Sequence, residues 1–307
     1  MVKYATSLRM DPCSIHDFEP RTPSRDAATW YLLSCAPLAM QVTPYTDINA
    51  LLDSLLTHLQ NILRQKFVGL YLYGSLVSGD FDYESSDIDV LAVTSSDISD
   101  EEFVDLQKMH NGLIANNKKW DDRIEIAYLS TGALKTFKSR TSKIAIISPG
   151  EPFHVKEAGN DWLINWYMVR EKGITLFGPS PKTLIDPISK EEFIHAVQAQ
   201  TKDWAQWIYH MQQRKSQAYA ILTMCRALYA YKHGEQVSKK QAAVWAAKEL
   251  PRWSALIKNA LLWREAWRDE AVDHVATFPE TLRFVQFVID QIVAKSDVPA
   301  PSNRTRS

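Results

Sequence analysis

Cysteine is scarce in this chain of 307 residues: Cys13, Cys35 and Cys225 are odd in number and far apart. That argues against a disulfide framework and a Cys-based zinc site, and it points to a reducing compartment, the cytoplasm. No stretch approaches the roughly 18 consecutive apolar residues of a membrane span, and the N-terminus lacks the apolar core of a signal peptide. Charge of one sign is also lacking. The formal net charge is −1, so no strong global field draws the protein to nucleic acid or to an anionic membrane. The eight histidines show no metal-ligand spacing, and no internal repeat is visible. What is there is the mix of an ordinary globular protein, 46% hydrophobic and 23% charged, long enough for two domains with separate cores. A monomer acting on small molecules, with neither nucleic acid nor membrane as partner, is the expectation.

Residues 1–40 mix prolines with one short apolar piece and read as an extension. A helix fits "YTDINALLDSLLTHLQNILRQ", with Thr46 or Asp47 as cap and its leucines and isoleucines on one stripe. "FVGLYLYG" (67–74) and "DIDVLAVTS" (87–95) read as strands, as does the alternating "DRIEIAYLS" (122–130), and "EEFVDLQKMHNGLIANN" as an amphipathic helix. "SPGEP" breaks this pattern near residue 150. From about residue 160 the signal is helical, and five long helical patterns follow a shorter one that stops at Gly173. One of them, "SKKQAAVWAAKEL", opens with the capping box Ser238 and Gln241. The organisation predicted is an extension over 1–40, an α+β catalytic domain over 41–158, an all-α helical bundle over 159–295 and a disordered tail over 296–307.

The chemistry concentrates in "GSLVSGDFDYESSDIDVLAV". Strand alternation points Asp87 and Asp89 the same way while Ile88 enters the core. Two carboxylates on one face repel each other unless something neutralises them, and Mg²⁺ suits one or two carboxylates completed by phosphate oxygens and water. Gly74 lets the backbone approach a phosphate closely, and the Ser75 hydroxyl with neighbouring amides can donate to it. Glu125, between inward Ile124 and Ile126, adds a third carboxylate if its strand lies beside the Asp strand. Asp-x-Asp alone would be strand-end decoration; between two buried strands and behind a Gly-Ser turn it suits metal-assisted phosphoryl or nucleotidyl transfer. Lys239 and Lys240 stand in the first turn of a helix, against its macrodipole. Two exposed lysines at a helix start explain that, and so does a polyphosphate docked on the helix amides.

The same stretch resembles the Gly-Ser…Asp-x-Asp motif of the nucleotidyltransferase superfamily with the DNA polymerase beta-like fold, and within it the streptomycin/spectinomycin adenylyltransferases. The resemblance runs from about residue 65 to 290 and includes "REKGITLFGPSPKTLIDPISKEEFIHAV" and "LTMCRALYAYKHGEQVSKKQAAVWAAKELP". It implies a polymerase beta-like catalytic domain followed by a helical bundle. It also implies an Mg²⁺-dependent transfer of AMP from ATP to a hydroxyl of an aminoglycoside or aminocyclitol, with release of pyrophosphate and antibiotic resistance as the outcome. By the same resemblance Ser75, Ser86 and Asp87, with Gly74, hold the nucleotide, and Asp87 and Asp89 are the metal ligands. Glu125 approaches the metal as general base, Asp161 is an acidic nucleotide contact, and Lys239 reaches the ATP phosphates. Asp203 and Trp204 match an Asp-Trp pair on the acceptor side. Transfer to another metabolite or to a protein, and nucleotide binding without catalysis, are the competing readings.

Overall fold

The computed structural model describes residues 41–265 and 273–293. The expected extension over 1–40, the tail over 296–307 and the end of the helix expected over 252–270 lie outside the described residues. In chain order come α1 (Thr46–Leu63), β1 (Phe67–Tyr73), the single turn α2 (Ser75–Ser78), β2 (Ile88–Thr94), α3 (Asp100–Asn116), β3 (Ile124–Ser130) and α4 (Thr131–Thr136). They are followed by β4 (Ser142–Ser148), β5 (Glu151–Ala158), α5 (Leu163–Lys172), β6 (Ile174–Phe177) and α6 (Pro181–Leu184). The six strands form one sheet in the order β5-β4-β3-β2-β1-β6, in which β2 and β3 run parallel and the other neighbours antiparallel.

Period-two alternation sorts the central strands into two buried faces. Leu70, Leu72, Ile88, Val90, Ile124 and Ile126 pack with the leucine stripe of α1 and with Leu106 and Leu113 of α3. The odd-numbered Tyr71, Tyr73, Leu91, Val93, Ala127 and Leu129 pack with α4, α5 and the next long helix. Asp89 and Glu125 are odd-numbered too, so they open onto that second face at the starts of β2 and β3.

The expected strands over 67–74, 87–95 and 122–130 are β1, β2 and β3; β4, with its apolar run Ile144–Ile147, and the edge strands β5 and β6 are additional to them. β5 is an edge strand with Pro152 near its start and Val155 half exposed, and an edge tolerates both. Gly150, at φ +79°, makes "SPGEP" the turn of the β4–β5 hairpin. β6 lies beyond the expected border at residue 158 and pairs with β1. At the start of α1 the expected caps do not act as caps. Tyr45 holds that position without a side-chain bond, Asp47 accepts the Tyr83 hydroxyl at 2.7 Å, and Asn49 reaches back to accept from the Thr43 N–H at 3.0 Å.

The bundle comprises α7 (Lys190–Trp207), α8 (Arg214–His233), α9 (Lys239–Glu249), α10 (Ser254–Glu265) and α11 (His274–Val293). They share a core built on Trp204, Ile221, Leu228, Ala243, Trp253, Ile257, Phe284 and Val288. Gly234, left-handed at φ +71°, ends α8, and the Ser238–Gln241 capping box starts α9, both as expected. α11 starts five residues before the expected Pro279, because the Asp273 carboxylate accepts the N–H groups of Val275 and Ala276 at 3.0 and 3.1 Å. Among the described residues no helix is long and apolar enough to cross a membrane.

One buried group makes stability depend on pH. His110 of α3 shares a 2.8 Å hydrogen bond between its Nε2 and the Tyr128 hydroxyl and lies against the Phe153 ring. Burial lowers its pKa from 6.5 to about 4. A histidine depressed in the fold contributes stability that is complete above pH 6.5 and is lost as pH falls from there through about 4. Urea midpoints should therefore fall over that interval for wild type and fall less for His110→Gln. Parallel pH curves for the two proteins would refute this assignment.

Candidate active site

Gly74 ends β1 at φ +72°. A Cβ there would stand 1.8 Å from Asp89 Oδ2, so only glycine lets the chain cross over this carboxylate into α2. The crossing brings the Ser75 N–H onto Asp89 as a hydrogen-bond donor. From Asp80 to Asp87 the loop is pinned by Arg123, which donates from Nε and Nη2 to the Ser86 carbonyl at 3.1 and 2.6 Å and from Nη2 to that of Tyr83 at 3.0 Å. The Ser86 hydroxyl accepts the Asp82 N–H at 2.9 Å, which makes it a structural post of the loop as well as part of the cleft lining.

The sheet register assembles the acidic side. Antiparallel pairing places Asp89 opposite Tyr73, and parallel pairing places it opposite Glu125. The Tyr73 hydroxyl donates to Glu125 Oε1 at 3.3 Å. Burial, then Glu125 and Asp87, raise the Asp89 carboxyl to about 8, against the opposing pull of Lys239 and the Ser75 amide. Burial also raises Asp87 and Glu125. Burial thus disfavours the charged form of all three carboxylates, a cost that a cation bound among them relieves. Among the described residues no three His, Cys, Asp or Glu side chains converge closely enough to enclose a metal unaided. A metal on Asp87 and Asp89 must therefore complete its shell with other oxygens, as magnesium does with phosphates.

Facing these groups, across a cleft of about 670 Å³, α8, α9 and α10 present Arg226, Lys239 and Arg264. Burial first, then the Arg226 and Arg264 charges, lower Lys239 to about 7, and its Nζ lies 4.0 Å from the Tyr219 ring centroid. The start of α9 differs from the expected polyphosphate cradle. The Lys240 N–H donates to Asp80 Oδ2 at 3.0 Å, and the Gln241 N–H donates to Ser238 Oγ at 3.1 Å. Those amides are taken by the protein, so the helix start offers the Lys239 side chain instead.

Of the residues singled out in the sequence, Gly74, Ser75, Ser86, Asp87, Asp89, Glu125 and Lys239 line this cleft together. Asp161, Asp203 and Trp204 do not. The Asp161 carboxylate turns back to accept the Gly159 N–H at 2.7 Å. Trp204 is buried among Trp207, Tyr219 and the bundle core, and Asp203, one helical step away, faces solvent. Among the further residues that line the cleft without having been assigned a role are Tyr73, Asp80, Arg226 and Arg264. Arg226 had a readable signal, a lone cation in the apolar run "LTMCRALYA"; Asp80 and Arg264 had none.

The family model described as a nucleotidyltransferase domain matches residues 56–148, and that of the aminoglycoside adenylyltransferase C-terminal domain matches residues 183–291. A solved spectinomycin adenyltransferase from Enterococcus faecialis, crystallised with ATP and spectinomycin, superposes with a TM-score of 0.62 at 17% identity. The alignment covers 79% of this chain and 98% of that one, a likeness of fold. No curated protein matches the chain. With a nucleotidyltransferase domain ahead of an adenylyltransferase C-terminal domain, the chain is an enzyme of the aminoglycoside nucleotidyltransferase family.

Proposed function

We propose that the cleft transfers AMP from ATP to a hydroxyl of an aminoglycoside or aminocyclitol-type small molecule and releases pyrophosphate. The observation that carries this reading is the row Tyr73–Asp89–Glu125 across three strands, with Asp87 beside it and Lys239 and Arg226 opposite. Acid on one wall and cations on the other suit a nucleoside triphosphate lying between them. Asp87 and Asp89, with Glu125 adjacent, would hold magnesium, whose contribution when bound is to neutralise charge on the transferring phosphate.

The protein's own groups do the rest. The Ser75 hydroxyl donates to phosphate oxygens, its N–H being held by Asp89, and Ser86 keeps the loop in shape. Lys239 meets the phosphates from the opposite wall, where their negative charge keeps its ammonium protonated. Glu125 accepts the proton of the attacking hydroxyl. Burial raises its pKa, which makes it a stronger base than an ordinary carboxylate, and the Tyr73 hydroxyl orients it.

Lys239→Ala should weaken ATP binding by about 10- to 100-fold, the worth of a charge-assisted contact, and leave the acceptor KM nearly unchanged. Lys240→Ala should do little, because that side chain is exposed. Calorimetric titration with ATP checks both, and equal effects would show that the helix start is solvated surface. The function itself is tested by mass spectrometry of streptomycin, spectinomycin, other aminocyclitols and uncharged polyols incubated with each nucleoside triphosphate and Mg²⁺. A product heavier by one adenylyl group, AMP less water, supports the reading. Transfer confined to compounds outside the antibiotic class would overturn the acceptor assignment while leaving the chemistry in place.

A further inference from the structure

Asp80 and Arg264 are 184 residues apart and meet where the loop after α2 touches α10. Arg264 Nη1 donates to Asp80 Oδ1 at 3.0 Å, and Nη2 donates to the Asp80 carbonyl at 2.9 Å and to the Ser86 hydroxyl at 3.4 Å. The other carboxylate oxygen, Oδ2, accepts the Lys240 N–H of α9 at 3.0 Å. The Asp80 side chain keeps only 9% of its surface and that of Arg264 21%. A pair so shielded from water, with both carboxylate oxygens engaged, couples its elements far more strongly than a surface ion pair does. One carboxylate therefore ties the serine loop of the sheet to two helices of the bundle.

We propose that this clasp positions the nucleotide. It holds the loop from Gly79 to Asp87 against the start of α9, and so sets the separation between Ser75 on one wall and Lys239 on the other. Asp80 also holds the Arg264 guanidinium on the loop, which leaves the phosphates to be met by Lys239 and Arg226. Asp80 and Arg264 are positioning residues. The inference rests on the nucleotide reading of the cleft.

The test compares Asp80→Ala, Arg264→Ala and the double variant with wild type, in ATP affinity and in steady-state kinetics. Each single change should weaken ATP by about 10- to 100-fold. The double change should cost no more than the worse single one, because both remove the same clasp. The kcat at saturating ATP and the acceptor KM should stay within about threefold of wild type, a split that simple loss of stability does not produce. Asp80→Asn, which keeps an acceptor for the Lys240 amide but drops the charge, should lose most of the same affinity; it and Arg264→Lys serve if the alanine variants fold poorly. Hydrogen exchange over residues 75–87 in the ATP-free protein should quicken in every variant. Tighter ATP binding by Asp80→Ala would overturn the proposal by showing that Asp80 competes with phosphate for this place. Unchanged affinity, additive losses, or a fall in kcat alone would overturn it equally. A wild-type protein that bound no ATP would defeat the functional reading and the nucleotide role with it, whereas a wild type that bound ATP beside variants that bound it equally would defeat the clasp alone.

Discussion

Asp89→Asn should abolish transfer, lowering the rate by about 10³-fold or more, while the metal-free protein becomes more stable. The loss follows from the position of Asp89, between Tyr73 and Glu125 and under the Gly74 crossing, where charge stabilisation of several kcal/mol at the transferring phosphate depends on it. The gain in stability follows from the raised carboxyl. A buried acid whose pKa rises from 3.8 to about 8 costs the fold nothing below the lower value and most above the upper one. Thermal melts in EDTA should therefore show the variant ahead of wild type at pH 8 and level with it near pH 4. A well-folded variant that turned over near the wild-type rate would remove Asp89 from the chemistry. Equal melting temperatures at pH 8 would remove the repulsion.

Glu125→Gln should separate binding from chemistry. The amide has the shape of the carboxylate and still accepts the Tyr73 hydroxyl, so the cleft keeps its form, but no base remains to take the acceptor proton. The kcat should fall by about 10²–10⁴-fold, the usual worth of a positioned general base, with ATP affinity within about threefold of wild type. Single-turnover kinetics beside an ATP titration make the comparison. An unchanged rate would assign the proton to another group, and a collapse of ATP affinity would make Glu125 chiefly part of the nucleotide site.

Much of this site was legible before the fold was known, for a reason internal to β-structure. Alternation alone places Asp87, Asp89 and Glu125 on faces opposite Ile88, Ile124 and Ile126, and a parallel β2–β3 pair then sets Asp89 beside Glu125. Gly74 was legible as a glycine closing a strand, expected to let the backbone approach a phosphate; what makes glycine necessary there is the Asp89 carboxylate that the left-handed chain crosses. Direction on a helix was harder. Motif likeness located Asp203 and Trp204, yet one step of α7 sends Trp204 into the core and Asp203 to solvent. Position along a chain does not say which neighbour a side chain meets. The edge strands β5 and β6 escaped notice because an edge needs neither a continuous apolar run nor freedom from proline. The clasp of Asp80 and Arg264 escaped because two charged residues so far apart in the chain leave no periodic trace.

The proposed reaction is a transfer of AMP with departure of pyrophosphate. It is tested most directly by giving the protein ATP labelled at the α-phosphate or at the γ-phosphate, with Mg²⁺ and spectinomycin or a related aminocyclitol. The α label should appear on the acceptor and the γ label in pyrophosphate, in equal amounts, and both transfers should stop when Mg²⁺ is withdrawn. Transfer of the γ label to the acceptor, or retention of both labels in ATP across the acceptor panel, would contradict it.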